Sequence, residues 1–333
     1  MSYISNKKQL DLFYPMILLF IVIVVFQLLR PFVVLMSFKL FEYDEQQEHI
    51  LVSVDQPASD GTAPEAIKAP NLPSSLRNTP QHWNSQLSFH QDTLALHRLI
   101  VSLTNNERVS VGRGNLITDN GLIDVAARHS LDMQNNDYLD HISPNGDGPS
   151  QRAAMLHRTM FGSIGENVAV IQSAKDMPEN IAKRFINGWM NSIGHRRNIL
   201  SADYSHIGVG CNSKFIPATQ TSLASEKRYC TQLFSKIYAR SSQPIPKELK
   251  KNSTLNIQLN PETGISKPAE VFISDLVNGQ QYANATLSNA TGSGSLTILV
   301  PSAGIYGLSI KVPDNTDPNR MWIVNGPYIK VVE

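Results

Sequence analysis

Three short stretches near the middle of the chain gather side chains able to do chemistry. AARHSLDM followed by YLDHISPNG carries His129, Asp132 and His141; SIGENVAV carries Glu166 and Asn167; WMNSIGHRRNIL carries Trp189, Ser192, His195, Arg196 and Asn198. Imidazoles and a carboxylate in one place can hold a divalent cation, pass a proton, or hydrogen-bond a ligand. Each stretch also has a plain structural reading. His129 falls on the apolar face of its helix, where a core histidine bonded to backbone is the simpler expectation. Gly165-Glu166-Asn167 reads as a structural turn, and Gly194-His195 as a helix C-terminal cap favoured by the helix dipole. Neither HExxH nor GxSxG accompanies them, so no metalloprotease helix or serine nucleophile elbow is marked.

The elements that must position these residues show in the spacing of apolar side chains. Leu96, Leu99, Ile100 and Leu103 predict an amphipathic helix over residues 92–107, and Leu122, Val125, Ala126, His129 and Met133 a second over 120–136. A third is expected over 177–192, with Asp176 as its N-cap, Pro178 in its first turn and Trp189 on its buried stripe. Strands are expected at 206–211 and 227–234, each carrying one of the chain's two cysteines, Cys211 and Cys230. If those strands are neighbours, the cysteines are placed to form a disulfide, adding about 3 kcal/mol by loop closure. From residue 241 to 333 short alternating runs such as TLNIQLN and GIYGLSIKV, broken by Asn, Gly and Pro, predict a small all-β, sandwich-like domain. PIPKELKK in front of it reads as a linker. Tyr282, Tyr306 and Trp322 of that domain read either as core or as a carbohydrate platform.

In their order, the chemical stretches resemble the CAP superfamily of cysteine-rich secretory, antigen 5 and pathogenesis-related class 1 proteins, nearest its bacterial SCP-like branch. Residues 129–133, 165–169, 189–200, 207–210 and 229–234 carry the resemblance, which covers roughly 89–240. It implies an α+β fold, an α-β-α sandwich around a central antiparallel sheet. It also implies a ligand-binding cleft lined by His141, Glu166 and His195, with His129 and Ser192 alongside. Ser192 stands where many eukaryotic members carry a second glutamate. His141, His195 and Glu166 are candidate ligands for zinc or another divalent cation, and a metal-dependent hydrolase is the alternative function. A polar network tying loop 140–150 to the sheet, with no ligand at all, is the third reading. Binding is favoured over catalysis, with lipid, peptide or a cell-envelope polymer as partner.

Location follows from the start of the chain. Residues 12–29, LFYPMILLFIVIVVFQLL, hold no charge and span about 27 Å as a helix, close to a bilayer's hydrocarbon core. Lys7 and Lys8 before the run, against Glu42, Asp44 and Glu45 after it, predict a signal-anchor with the N-terminus in the cytosol and the bulk periplasmic or extracellular. A cleaved signal peptide is the rival, disfavoured by the length of the run and the lack of a small-x-small cleavage site. Residues 1–41 thus form the cytosolic stub and anchor, and polar residues 42–88 a flexible stalk. A formal net charge of +1 over 333 residues supplies no field that would recruit nucleic acid.

Overall fold

A computed structural model describes residues 49–52 and 91–333, apart from 277–278, 289 and 318. The apolar run at 12–29 lies outside the described residues, as does nearly all of the expected stalk. Among the described residues no helix is long and apolar enough to cross a membrane. The chain divides into two compact units, Met1–His49 and Ile50–Glu333. The second contains every described residue except His49.

The expected helices are present as α1 (Gln91–Ser110), α2 (Asn120–Asn136) and, after a short helix α3 (Pro149–Leu156), α4 (Pro178–Asn191). Asp119 starts α2 by accepting the Leu122 N–H at 2.7 Å, and Asp137 ends it in the left-handed region at φ 50°. Asp176 does not cap α4 as expected. Pro178 opens that helix and restricts the residue before it to extended backbone, so Met177 becomes the cap residue. Asp176 instead accepts from the side chains of Asn180 and Arg184. Gly194-His195 is not a cap either: extended backbone at Ser192 separates α4 from a further helix, α5 (Ile193–Leu200), which contains both residues.

The central sheet is built on β3 (Met160–Ser173), β4 (His206–Ile216) and β5 (Ser225–Ser241), with β5 in the middle and antiparallel to both. The short β2 (Ile117–Thr118) lies parallel to β4, and β1 (His49–Val52) flanks β3. Gly165-Glu166-Asn167, expected as a turn, lies in the middle of β3. Helix α2 covers one face of the sheet, while α1, α4 and α5 cover the other. Ile207, Val209 and Cys211 of β4 are buried with Ile100, Phe185 and Trp189 on the second face. Gly208 and Gly210 alternate with them and lie under α2. A Cβ on Gly208 would meet the Leu122 backbone at 2.4 Å, and one on Gly210 the Ala127 backbone at 2.1 Å. Helix α2 rests directly on the strand, which leaves no room for side chains there. Cys211 and Cys230 are directly paired across β4 and β5, 4.1 Å apart at Cα, and form the expected disulfide.

No break separates this part from the strands that follow. β5 continues to Ser241 and pairs at its end with β7 (Thr254–Pro261), which in turn pairs with β10 (Ser293–Thr297). Facing them is a second sheet in the order β6-β12-β11-β8-β9, made of β6 (Glu248–Lys250), β12 (Met321–Val332), β11 (Gly304–Pro313), β8 (Glu270–Asp275) and β9 (Gln281–Thr286). Part of PIPKELKK, expected as a linker, is strand β6, held parallel to β12. Leu255, Ile257 and Leu296 from the first sheet pack with Val271, Leu308 and Ile310 from the second. Phe161 of β3 and Tyr238 of β5 belong to the same core, so the two parts share an interior. Tyr306 is buried there and donates its hydroxyl to the Ser302 carbonyl, while Tyr282 and Trp322 pack at its edge. These aromatics serve the core.

Candidate functional site

Successive residues of a strand point to opposite faces, and β3 uses this at Glu166 and Asn167. Glu166 points into the layer of α2 and α3. There its Oε1 accepts Nδ1–H of His141 at 2.8 Å and its Oε2 accepts Nη2–H of Arg152 at 2.6 Å. Arg152 comes from α3 and is 0% exposed. Its Nη1 donates to the carbonyls of His141 and Asp147, both at 2.8 Å, and to the Ser143 hydroxyl at 3.2 Å. One guanidinium therefore holds the loop that carries His141 and the carboxylate that His141 bonds.

Asn167 points the other way. Its amide donates to the His195 carbonyl at 3.2 Å and to Oε1 of Gln232 at 2.9 Å, and its carbonyl oxygen accepts from Asn198 at 2.9 Å. Asn198 also donates to the Glu166 backbone carbonyl at 3.0 Å. This second network fixes α5, and Arg108 of α1 anchors the far end of that helix through the carbonyls of Ile199 and Ser201. The His141 ring, from the α2 side, and the His195 ring, from α5, come to 6.4 Å between centroids. Both side chains are almost wholly buried, but their chain neighbours Ile142 and Ile193 are 41% and 84% exposed.

The charges in the site follow from this geometry. Burial alone would raise the Glu166 carboxyl. The Arg152 guanidinium, with His129 and His141, outweighs it and holds the group at about 2. His129 donates Nε2–H to the Asp140 carbonyl at 3.0 Å, and burial, reinforced by Arg152, lowers it to about 3. It is a neutral core histidine with its Nε2 4.0 Å from Glu166. Because Glu166 is ionised, His141 must supply the proton of their bond from Nδ1, which leaves Nε2 as the ring's second hydrogen-bonding atom. A carboxylate held near 2 is a poor general base at neutral pH.

The residues do not fit the candidate zinc site of the sequence analysis. A catalytic zinc takes three protein ligands, but Glu166 already gives one oxygen to Arg152 and the other to His141. That leaves the two histidines. Among the described residues no group of three or more His, Cys, Asp or Glu side chains is placed to hold a metal ion. Ser192 is the cap residue of α5 and partly exposed; its hydroxyl makes no capping bond.

The structure thus joins His141, Glu166 and His129 in one network and brings His195 beside it from the other face. Sequence reasoning missed Arg152, Gln232 and Thr104, whose hydroxyl accepts from Gln232 at 2.7 Å. The available signal was a polar residue at an inward position of an apolar pattern, as with Gln232 in YCTQLF.

These motifs, on a three-layer arrangement that includes β3 and α5, have a match among known protein families. Residues 101–215 match the model of the CAP family, described as the cysteine-rich secretory protein family. Residues 101–215 therefore carry a CAP-like domain, in a mixed α+β fold with a sheet-rich region after it. The uncharacterized protein YkwD of Bacillus subtilis (strain 168) is 34% identical over 149 residues, 45% of this chain and 55% of its own. The uncharacterized membrane protein YlbC of the same organism is 37% identical over 116 residues, 35% of this chain and 31% of its own. The chain thus matches about half of one relative's length and a third of the other's. Similar solved structures include an extracellular protein containing a SCP domain from Bacillus anthracis str. Ames, at 28% identity and TM-score 0.32, covering 45% of this chain and 44% of that one. An outer surface protein from Borrelia burgdorferi is 21% identical with TM-score 0.33, covering 45% of this chain and 99% of its own.

Proposed function

We propose that this chain is a membrane-tethered, extracytoplasmic binding protein whose CAP domain takes a cell-envelope ligand at the surface above His141 and His195. The ligand classes that suit the site are a lipid, a peptide or an envelope polymer. The observation that carries the reading is the fixed state of Glu166: locked by Arg152 and held near 2, it orients His141 but makes a weak base. Such a site recognises hydrogen-bonding groups better than it abstracts protons. Exposed Ile142 and Ile193 beside the histidines supply apolar contact for the same ligand. The apolar run at 12–29 and the description of the relative YlbC as a membrane protein support the tether. The Cys211–Cys230 bridge suits an oxidising compartment.

The test compares the full chain in detergent with a His141→Ala/His195→Ala variant. Binding to purified cell-wall sacculi, to immobilised envelope lipids and to a peptide array is measured in parallel. At least one of the three surfaces should retain the wild-type chain, with at least a tenfold loss in the variant. Equal retention of both proteins on every surface would remove the histidines from the reading.

A further inference from the structure

Glu166 has a resident cation. Four oxygens converge on the Arg152 guanidinium: Glu166 Oε2 at 2.6 Å, the carbonyls of His141 and Asp147 at 2.8 Å each, and Ser143 Oγ at 3.2 Å. A cluster of oxygens from a carboxylate, backbone carbonyls and a hydroxyl is what a hard metal cation gathers around itself. Here the cation is a fully buried side chain.

We infer that Arg152 takes the place of a metal ion in this CAP domain: it neutralises Glu166, holds the loop carrying His141, and keeps zinc off the histidine pair. The exclusion has three physical parts. A zinc ion bonded to Glu166 at about 2.0–2.2 Å would sit within a few ångströms of the guanidinium, and two positive groups would share one carboxylate. Binding at Oε1 would also displace the His141 Nδ1–H that now occupies it at 2.8 Å. Finally, Ser192, at the mouth of α5, brings no second carboxylate to offset a dication, and the other buried imidazole nearby, His129, is turned to the Asp140 carbonyl. Asp147 contributes its backbone carbonyl to Arg152 while its carboxyl accepts from Asn145 at 2.6 Å, and burial raises that carboxyl above its ordinary value.

Arg152 is in these terms a positioning residue, acting on His141 through Glu166. The inference rests on the His141–His195 site proposed above. Its readout is metal binding alone, so a failed search for an envelope ligand leaves it standing.

The experiment titrates zinc chloride into the full chain in detergent by calorimetry, with cobalt(II) as a spectroscopic probe of tetrahedral coordination. Wild type should show no zinc site that His141→Ala removes. Arg152→Met should bind zinc at least tenfold more tightly than wild type and develop visible cobalt absorption, both lost again in Arg152→Met/His141→Ala. Arg152→Lys keeps the positive charge and should behave as wild type, whereas a merely structural role predicts that Lys and Met behave alike. Stoichiometric zinc in wild type that His141→Ala abolishes overturns the inference, as does a folded Arg152→Met variant with no gain in affinity. If Arg152→Met does not fold by circular dichroism, the wild-type and His141→Ala titrations decide the matter.

Discussion

The two parts of Ile50–Glu333 have interiors of opposite character. Between β7 and β12 the core is apolar; among the described residues 254–333 the only buried polar side chain is Ser309. Residues 91–241 bury His97, His129, His141, His157, His195 and His206, besides Arg108, Arg152 and Glu166. Apolar burial stabilises by about 25 cal/mol for each Å² removed from water. A buried ion pair contributes little net stability, because desolvation offsets most of the attraction. The sheet-rich region is therefore built for cohesion, and it completes its core with Phe161 and Tyr238 from the CAP strands. The polar interior of the CAP domain needs another reason, and site geometry is the one its hydrogen bonds suggest.

That contrast can be broken most sharply at Arg152. Arg152→Met should lose about 3–5 kcal/mol in urea denaturation, because Glu166 is left charged and buried without its partner. Arg152→Met/Glu166→Leu should recover most of that loss. A double variant as unstable as the single one would mean that the network exists for stability, and the contrast would fail. Leu308→Ala, in the apolar core, should cost about 2–5 kcal/mol with no compensating partner to be found. Removing the disulfide as Cys211→Ala/Cys230→Ala should cost at most about 3 kcal/mol, since the bridge closes a short loop between adjacent strands.

The smallest expected effect is set by pH. Glu166 lies at about 2 in the fold against an ordinary 4.5, so its contribution is complete above 4.5 and is lost as pH falls through that window. Burial lowers His129 to about 3 and His97 to about 4, so both are neutral in the fold while the unfolded chain takes up protons below 6.5. All three shifts weaken the CAP domain on acidification, the histidines first. Residues 254–333 contain no histidine. Amide protection factors, corrected for the intrinsic exchange rate at each pH between 7 and 4, should therefore fall in α2 and β3 before β11 and β12. Simultaneous loss of protection in both parts would show that the shared core couples them more tightly than their titrating groups separate them.

Much of this molecule was legible in its residue pattern. The apolar spacing placed α2 at its observed bounds, and the alternation around Cys211 and Cys230 anticipated adjacent strands and their bridge. The strand holding Glu166 was not legible. β3 is defined by pairing with β5 from Met160↔Arg240 to Ser173↔Glu226, a long-range partnership that a short window around GENVAV cannot contain. The end of α4 was anticipated at 192, but α5 was missed because Gly194 so soon after that end reads as a cap, whereas one residue of extended backbone at Ser192 is followed by a new helix.

The residues alone singled out the groups to watch, the imidazoles and Glu166 of the motifs, and the apolar run that precedes them all. The three-dimensional fold decided what that carboxylate is. Arg152 stands 14 positions from Glu166 in the chain yet 2.6 Å away in space. Charge acts through distance and burial, and neither can be counted along a sequence. A candidate zinc ligand is, in the fold, the hydrogen-bonded partner of a buried guanidinium.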